Sequence, residues 1–153
     1  VSAFHLKLLV DDYDHEQWLD HVSGVENYAT LPERGMRCSA CFDFSLGRTA
    51  RKAAELGMNF ATTLTVSPHK PSRVIFETAS IWKHFELDMN YATTLTVSPH
   101  KKSETIFRLC ENDPRFEAYN FKKQDGFKRS LELSRELELY RQNFCGCEFS
   151  IRA

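Results

Sequence analysis

A chain of 153 residues, 42% of them hydrophobic and 12% aromatic, is the size of one domain and rich enough in apolar side chains to build a packed core. Its 20 lysines and arginines nearly balance 21 aspartates and glutamates, so no whole-molecule field draws it to nucleic acid or an anionic membrane, and any RNA contact must be a local patch. No apolar run is long enough to span a bilayer, and the opening Val-Ser-Ala-Phe-His lacks the charged and apolar regions of a secretory leader. The expectation is a soluble, cytoplasmic protein with no membrane partner.

The first residue is not methionine, and a strand-like run, Leu6 to Val10, follows almost at once, as expected of a chain that begins inside a larger protein. The acidic run Asp11-Asp-Tyr-Asp14 has the oxygen donors of a metal site, but Asp14 with Gln17 has the spacing of a capping box, and capping is the simpler account. The helix so opened carries Trp18, Leu19 and Val22 on one face. Next comes Cys38-Ser-Ala-Cys41, beside Met36-Arg37. Two cysteines at this spacing lie about one turn apart, so a single soft metal or a redox couple can use both. From Gly47 to Leu56 the alanine-rich sequence predicts a helix ended by Gly57.

An internal repeat follows. Met58-Asn-Phe-Ala-Thr-Thr-Leu-Thr-Val-Ser-Pro-His-Lys70 recurs, with Tyr for Phe, as Met89 to Lys101, 31 residues further on. Each copy reads as a strand (Phe60 to Val66, Tyr91 to Val97), a Ser-Pro turn and a helix, and about thirty residues is the size of a βαβ crossover. Two copies are too few for a solenoid, so the duplication predicts an extra parallel strand in an existing sheet. Ligands of such sheets collect at the C-terminal strand ends, where both Ser-Pro-His-Lys turns fall. There Ser67 or Ser98 can cap the next helix, and His69 or His100 with Lys70 or Lys101 suits a phosphate, although a turn histidine with satisfied hydrogen bonds is the plainer reading. Phe116 to Phe121 reads as a further short strand. The run from Phe121 to Arg129 interleaves aromatics with Lys122, Lys123 and Lys128, either an RNA-backbone surface or a solvated turn. Leu133, Leu137 and Tyr140 then mark an amphipathic helix.

The chain closes on Cys145-Gly-Cys147, whose Gly146 permits the strained backbone that an i,i+2 disulfide or a shared metal demands. Strain makes such a bond easy to reduce. Five cysteines without a leader argue for a redox or metal role rather than a disulfide framework, with zinc held jointly by both pairs, or ordinary core thiols, as alternatives. Cys110 has no partner in sequence and takes no role.

These residues, in this order, match a known family. Arg37-Cys-x-x-Cys-Phe42, Thr49-Ala50 with Ala53, the Thr-Thr-Leu-Thr-Val-Ser-Pro-His-Lys strings, Phe121-Lys-Lys-x-Asp-Gly-Phe-Lys128, Ser130, Leu133-Ser134 and Tyr140-Arg-Gln-Asn-Phe-Cys-Gly-Cys147 resemble epoxyqueuosine reductases of the QueH type. Asp11 to Asp14 and Trp18 resemble the segment upstream. The resemblance implies a HUP-like α/β fold with a mainly parallel Rossmann-like sheet over a single domain, residues 1–153. It implies reduction of a cyclopentane epoxide to an alkene at the tRNA wobble position, the last step of queuosine synthesis, without cobalamin. It further implies a [4Fe-4S] cluster with Cys38 and Cys41 as two of four ligands, Cys145 and Cys147 as a redox-active dithiol, and an electron donor not identified by the sequence. Candidate tRNA contacts are Ser67, His69, Lys70, Ser98, His100, Lys101, Lys122, Lys123, Lys128 and Arg141.

The sequence departs from the family in three places. The N-terminal strand and its Cys-Cys ligand pair are absent from these 153 residues, Ser45 stands where an arginine is expected, and the duplication is no family feature; excising one copy restores the family's layout. This sequence therefore reads as a truncated, rearranged member whose cluster is incomplete and whose activity as it stands is lost. The alternative is a non-catalytic, zinc-stabilised RNA-binding or interaction fragment.

Overall fold

The computed structural model describes residues 7–12, 14–66, 70–81, 89–94, 101–140 and 145–150. Helix α1 (His15–Ser23) starts where the capping pattern places it: the Asp14 carboxylate accepts the Gln17 amide hydrogen at 2.9 Å, answering one of the helix's orphan donors. Its inward face buries Val22 completely and Trp18 and Leu19 in part.

Helix α2 (Met36–Glu55) is twice the length expected, and the Cys-x-x-Cys lies inside it rather than before it. Phe42, Leu46, Ala50 and Ala53 are all buried, a helical stripe that runs straight through Gly47. The alanine-rich composition marked only the second half of that stripe. The end is as expected. Gly57 has φ 61°, its amide bonds to Ala54 and the Met58 amide to Ala53, closing a Schellman turn that a side chain with a Cβ would strain.

β1 (Phe60–Thr62), β2 (Tyr91–Thr94) and β3 (Phe116–Tyr119) form a parallel sheet in the order β1-β2-β3, crossed by α3 (Ser72–Ile81) and α4 (Ser103–Cys110). The chain is thus α/β, with the repeat strands running in the same direction. Their pairing sets each residue against its own copy, Phe60 against Tyr91, Ala61 against Ala92 and Thr62 against Thr93, and the Asn59 side chain accepts the Asn90 amide. The likeness continues into the helices, where Ser72, Ile75 and Phe76 correspond to Ser103, Ile106 and Phe107.

The strands are shorter than expected. β1 stops at Thr62 because the Thr62 hydroxyl accepts the Leu64 amide and turns the backbone into a 3-10 turn, Leu64–Val66. β3 stops at Tyr119, where the Asn120 side chain accepts the Lys122 amide in a similar local turn. Residues 95–97, expected to be strand, lie outside the described residues. The sheet buries Tyr91 with Phe76, Ile106 and Cys110 on one side of Phe60, which also reaches the Phe42, Leu46 and Ile75 cluster under α2.

Helix α5 (Gly126–Glu136) begins and ends earlier than its leucine pattern suggests. Glu138 takes a left-handed φ of 50° and the Leu139 amide reaches back to the Ser134 carbonyl, so the helix closes before Tyr140, which is 79% exposed.

Candidate functional site

The longer α2 changes what the Cys-x-x-Cys is: both thiols project from its first two turns. The Arg34 backbone amide donates to Cys38 Sγ at 3.3 Å, and the Trp18 indole Nε1–H donates to Cys41 Sγ at 3.4 Å. Each sulfur is therefore oriented by a protein donor from the segment before the helix. Cys38 also packs beside Phe42 and Ile75, which ties the pair to the core.

The C-terminal turn folds back onto this helix end. Cys147 lies close enough to Cys41 to influence its charge, as Cys38 does, and Cys41 and Cys147 act likewise on Cys145. Burial raises the Cys41 thiol above its ordinary value, opposed by the Trp18 hydrogen bond and the nearby Lys70 cation. Burial also raises Cys145, again opposed by Lys70. Both groups are thus held as neutral thiols at neutral pH, and a metal or an oxidant must take their protons. No disulfide joins any of the five cysteines, and Cys110 is buried in the sheet core with Phe76, Tyr91 and Ile106.

Three residues of this site received no role from the sequence, although Trp18 and Arg37 were named in its motifs. Trp18 touches Cys41. Arg37, 2% exposed, donates from Nη1 to the Tyr28 and Leu31 carbonyls at 2.6 and 2.8 Å, while its Nη2 is buried with no hydrogen-bond partner among the described residues. Phe149 lies under the Arg37 guanidinium, 4.8 Å from ring centroid to Cζ. An arginine directly before a Cys-x-x-Cys, and an aromatic two residues after a Cys-x-Cys, were the available signals.

The lysines divide into two kinds. Lys101 donates to the Lys70 carbonyl at 2.7 Å and to the Ser72 hydroxyl at 2.9 Å, and Lys122 donates to the Lys101 carbonyl. Burial and the Arg34 charge lower Lys101 to about 8. Lys123 and Lys128 are exposed, and Tyr119 and Phe121 stack at 6.0 Å while each stays 46% exposed. Asn120, Phe121, Lys123 and Ser130 line an open cavity of about 580 Å³ there. Ser67, His69, Ser98, His100 and Arg141 lie outside the described residues.

Thiolates are suitable donors for an iron–sulfur cluster or zinc. Cys38 and Cys41 fit as two such ligands. Among the described residues, however, no group of three or more His, Cys, Asp or Glu side chains is arranged to hold a metal. No described helix is long and apolar enough to cross a membrane.

Two thiol pairs gathered at one end of a helix, against a parallel sheet, define an α/β protein with a thiol centre. A family model described as "Epoxyqueuosine reductase QueH" matches residues 1–92 and again 77–153, each match containing one whole copy of the repeat. The chain belongs to the QueH family. It is 33% identical to an epoxyqueuosine reductase QueH of Streptococcus pyogenes serotype M1, over 99% of this chain and 51% of that protein. Against the QueH of Helicobacter pylori it is 37% identical over 96% of this chain and 34% of the relative, and against that of Thermotoga maritima 32% over 99% and 66%. The chain spans about half the length of most of the curated relatives it matches.

Proposed function

We propose that this chain carries the thiol centre of an epoxyqueuosine reductase acting on tRNA, with Cys145 and Cys147 as its two-electron dithiol and Cys38 and Cys41 as two thiolate ligands of a [4Fe-4S] cluster. The observation that carries this reading is the placement of the C-terminal thiols beside Cys41. The stoichiometry agrees: reducing an epoxide to an alkene and water consumes two electrons and two protons, which is what a dithiol releases on closing to a disulfide. A separate reductant must then reopen the disulfide. Gly146, with φ 86°, gives the Cys145–Cys147 segment the turn that such a closure needs. The parallel order of β1, β2 and β3 supports a HUP-like sheet.

For the RNA, the stacked and exposed Tyr119 and Phe121 offer a base a π-face, with Lys123 and Lys128 for phosphates. Lys101 and Lys122 already serve backbone carbonyls, so Lys70 is the repeat lysine that supports a substrate contact best. Because this sequence contains only two of the family's four cluster ligands, the 153-residue chain is expected to bind the tRNA and leave its epoxide intact. The test is anaerobic reconstitution with iron and sulfide, incubation with epoxyqueuosine-containing tRNA, and mass spectrometry of the digested nucleosides, beside a binding titration. Failure to bind that tRNA above an unrelated RNA would sink the reading. Conversion by the chain alone would overturn the incomplete-cluster argument.

A further inference from the structure

The C-terminal turn reaches the thiol site without help from the helix before it: α5 has no fully buried residue, and Leu139 and Tyr140 beyond it are 58% and 79% exposed. What docks is the segment from 145 to 150, and its ring is Phe149. That ring stacks on Trp18 of α1 at 6.1 Å, meets the edge of Tyr28 at 5.6 Å, and lies under Arg37 of α2 at 4.8 Å. Three partners from three stretches of chain thus converge on one phenyl group. Two of them are themselves fixed, Arg37 by two carbonyls and Trp18 by Cys41.

The ring is rigidly coupled to the thiols. The Ser150 amide and hydroxyl both donate to the Cys147 carbonyl, at 3.0 and 2.7 Å, closing a turn that contains Phe149. Alongside it, Glu148 approaches His15 Nε2 of α1 at 3.6 Å. Displacing the ring therefore displaces Cys147. Trp18 joins both halves, with one face on Phe149 and its N–H on Cys41.

We infer that Phe149 is a latch: a positioning residue whose ring, clasped by Trp18, Tyr28 and Arg37, holds the Cys145-Gly-Cys147 turn against Cys41. The inference deepens the proposed thiol centre and rests on it, but its test reads a distance rather than turnover, so either can fail while the other stands. Arg37 matters here beyond its charge. A buried guanidinium with one nitrogen unbonded among the described residues is costly unless something stabilises the cation, and the face of a phenyl ring does so.

The experiment treats the folded chain with a short bis-maleimide and compares, by peptide mass spectrometry, cross-links from Cys41 to Cys145 or Cys147 with loops closed within the Cys145–Cys147 pair. The within-pair loop is an internal control that general loosening of the fold does not remove. Phe149→Ala is expected to lower the cross-pair to within-pair ratio about tenfold, the scale of losing several aromatic contacts at once. Phe149→Leu, which keeps apolar volume without a ring, should fall nearly as far. Phe149→Tyr should restore the ratio to within about twofold of the parent. An unchanged ratio in Phe149→Ala, or leucine performing as well as tyrosine, would overturn the latch.

Discussion

Replacing Tyr91 by phenylalanine removes one oxygen from the centre of the sheet and turns the second repeat copy into the first at that position. The Tyr91 hydroxyl donates to Asp113 Oδ2 at 2.8 Å, and Asp113 is only 8% exposed. Burial, followed by the Asp113 and Cys110 hydrogen bonds, drives the phenol well above its ordinary pKa, so it stays a donor at any working pH. Asp113 keeps the Arg115 amide at 3.2 Å and the Arg115 Nε at 3.5 Å, both on Oδ1. The variant therefore takes from Oδ2 its hydroxyl donor in a buried place. A hydrogen bond to a charged group with this geometry is worth about 1.5–3 kcal/mol, and at this chain length each kcal/mol shifts Tm by roughly 2–4 °C. Tyr91→Phe should thus melt about 3–12 °C below the parent in a thermal scan. Phe60→Tyr is the control, because an added hydroxyl there is not offered Asp113, which already takes the one on Tyr91. Equal melting of the parent and Tyr91→Phe would refute the assignment of this bond as a stabilising element.

Lys101 gives a pH test. Its folded pKa, about 8, lies below the free-lysine value, so between the two the unfolded chain binds more protons and this group's contribution to stability rises with pH. Chemical denaturation at pH 7.5 and 9.5 should show a smaller gain across that interval in Lys101→Met than in the parent, and an equal or larger gain would count against the buried cation. For the thiols, brief alkylation of the native chain should label Cys145 and Cys147 and leave the 5% exposed Cys110 unmodified until denaturant is added. Mild oxidation beforehand should protect Cys145 and Cys147 as a disulfide, and continued labelling of both would show that the turn does not close.

The features that sequence showed well are those set by local chemistry. The Asp14 cap and the Gly57 stop depend on single side chains acting within a few residues, and the parallel pairing of the repeat strands follows from βαβ chirality and length. The start of α2 was obscured because its first half mixes polar residues and cysteines with Phe42 and Leu46, so its buried stripe emerges only once α3 and β1 pack on it. The end of α5 depends on a left-handed glutamate, a backbone choice with no compositional mark. At the site, the cysteines were legible as pairs and Phe149 was not, because its importance lies in partners more than a hundred residues away in sequence.

The duplication shows how identical segments acquire separate work from position alone. The two copies share Ala-Thr-Thr-Leu-Thr-Val in sequence, yet β1 lies at one end of the sheet's order, next to α2, while β2 is paired on both sides. Lys122 donates to the Lys101 carbonyl and Lys101 to the Lys70 carbonyl, a staircase of three lysines along the C-terminal side of the three strands. It ends at Lys70, whose charge acts on Cys41 and Cys145. One further strand displaces the second copy by about 4.8 Å, enough to carry Lys101 off the thiols and into service as a brace. The first copy, beside α2, is the one whose lysine acts on the thiols. The second braces it through Asn90 on Asn59 and Lys101 on Lys70 and Ser72, and is itself tied to the segment before β3 by Tyr91 on Asp113.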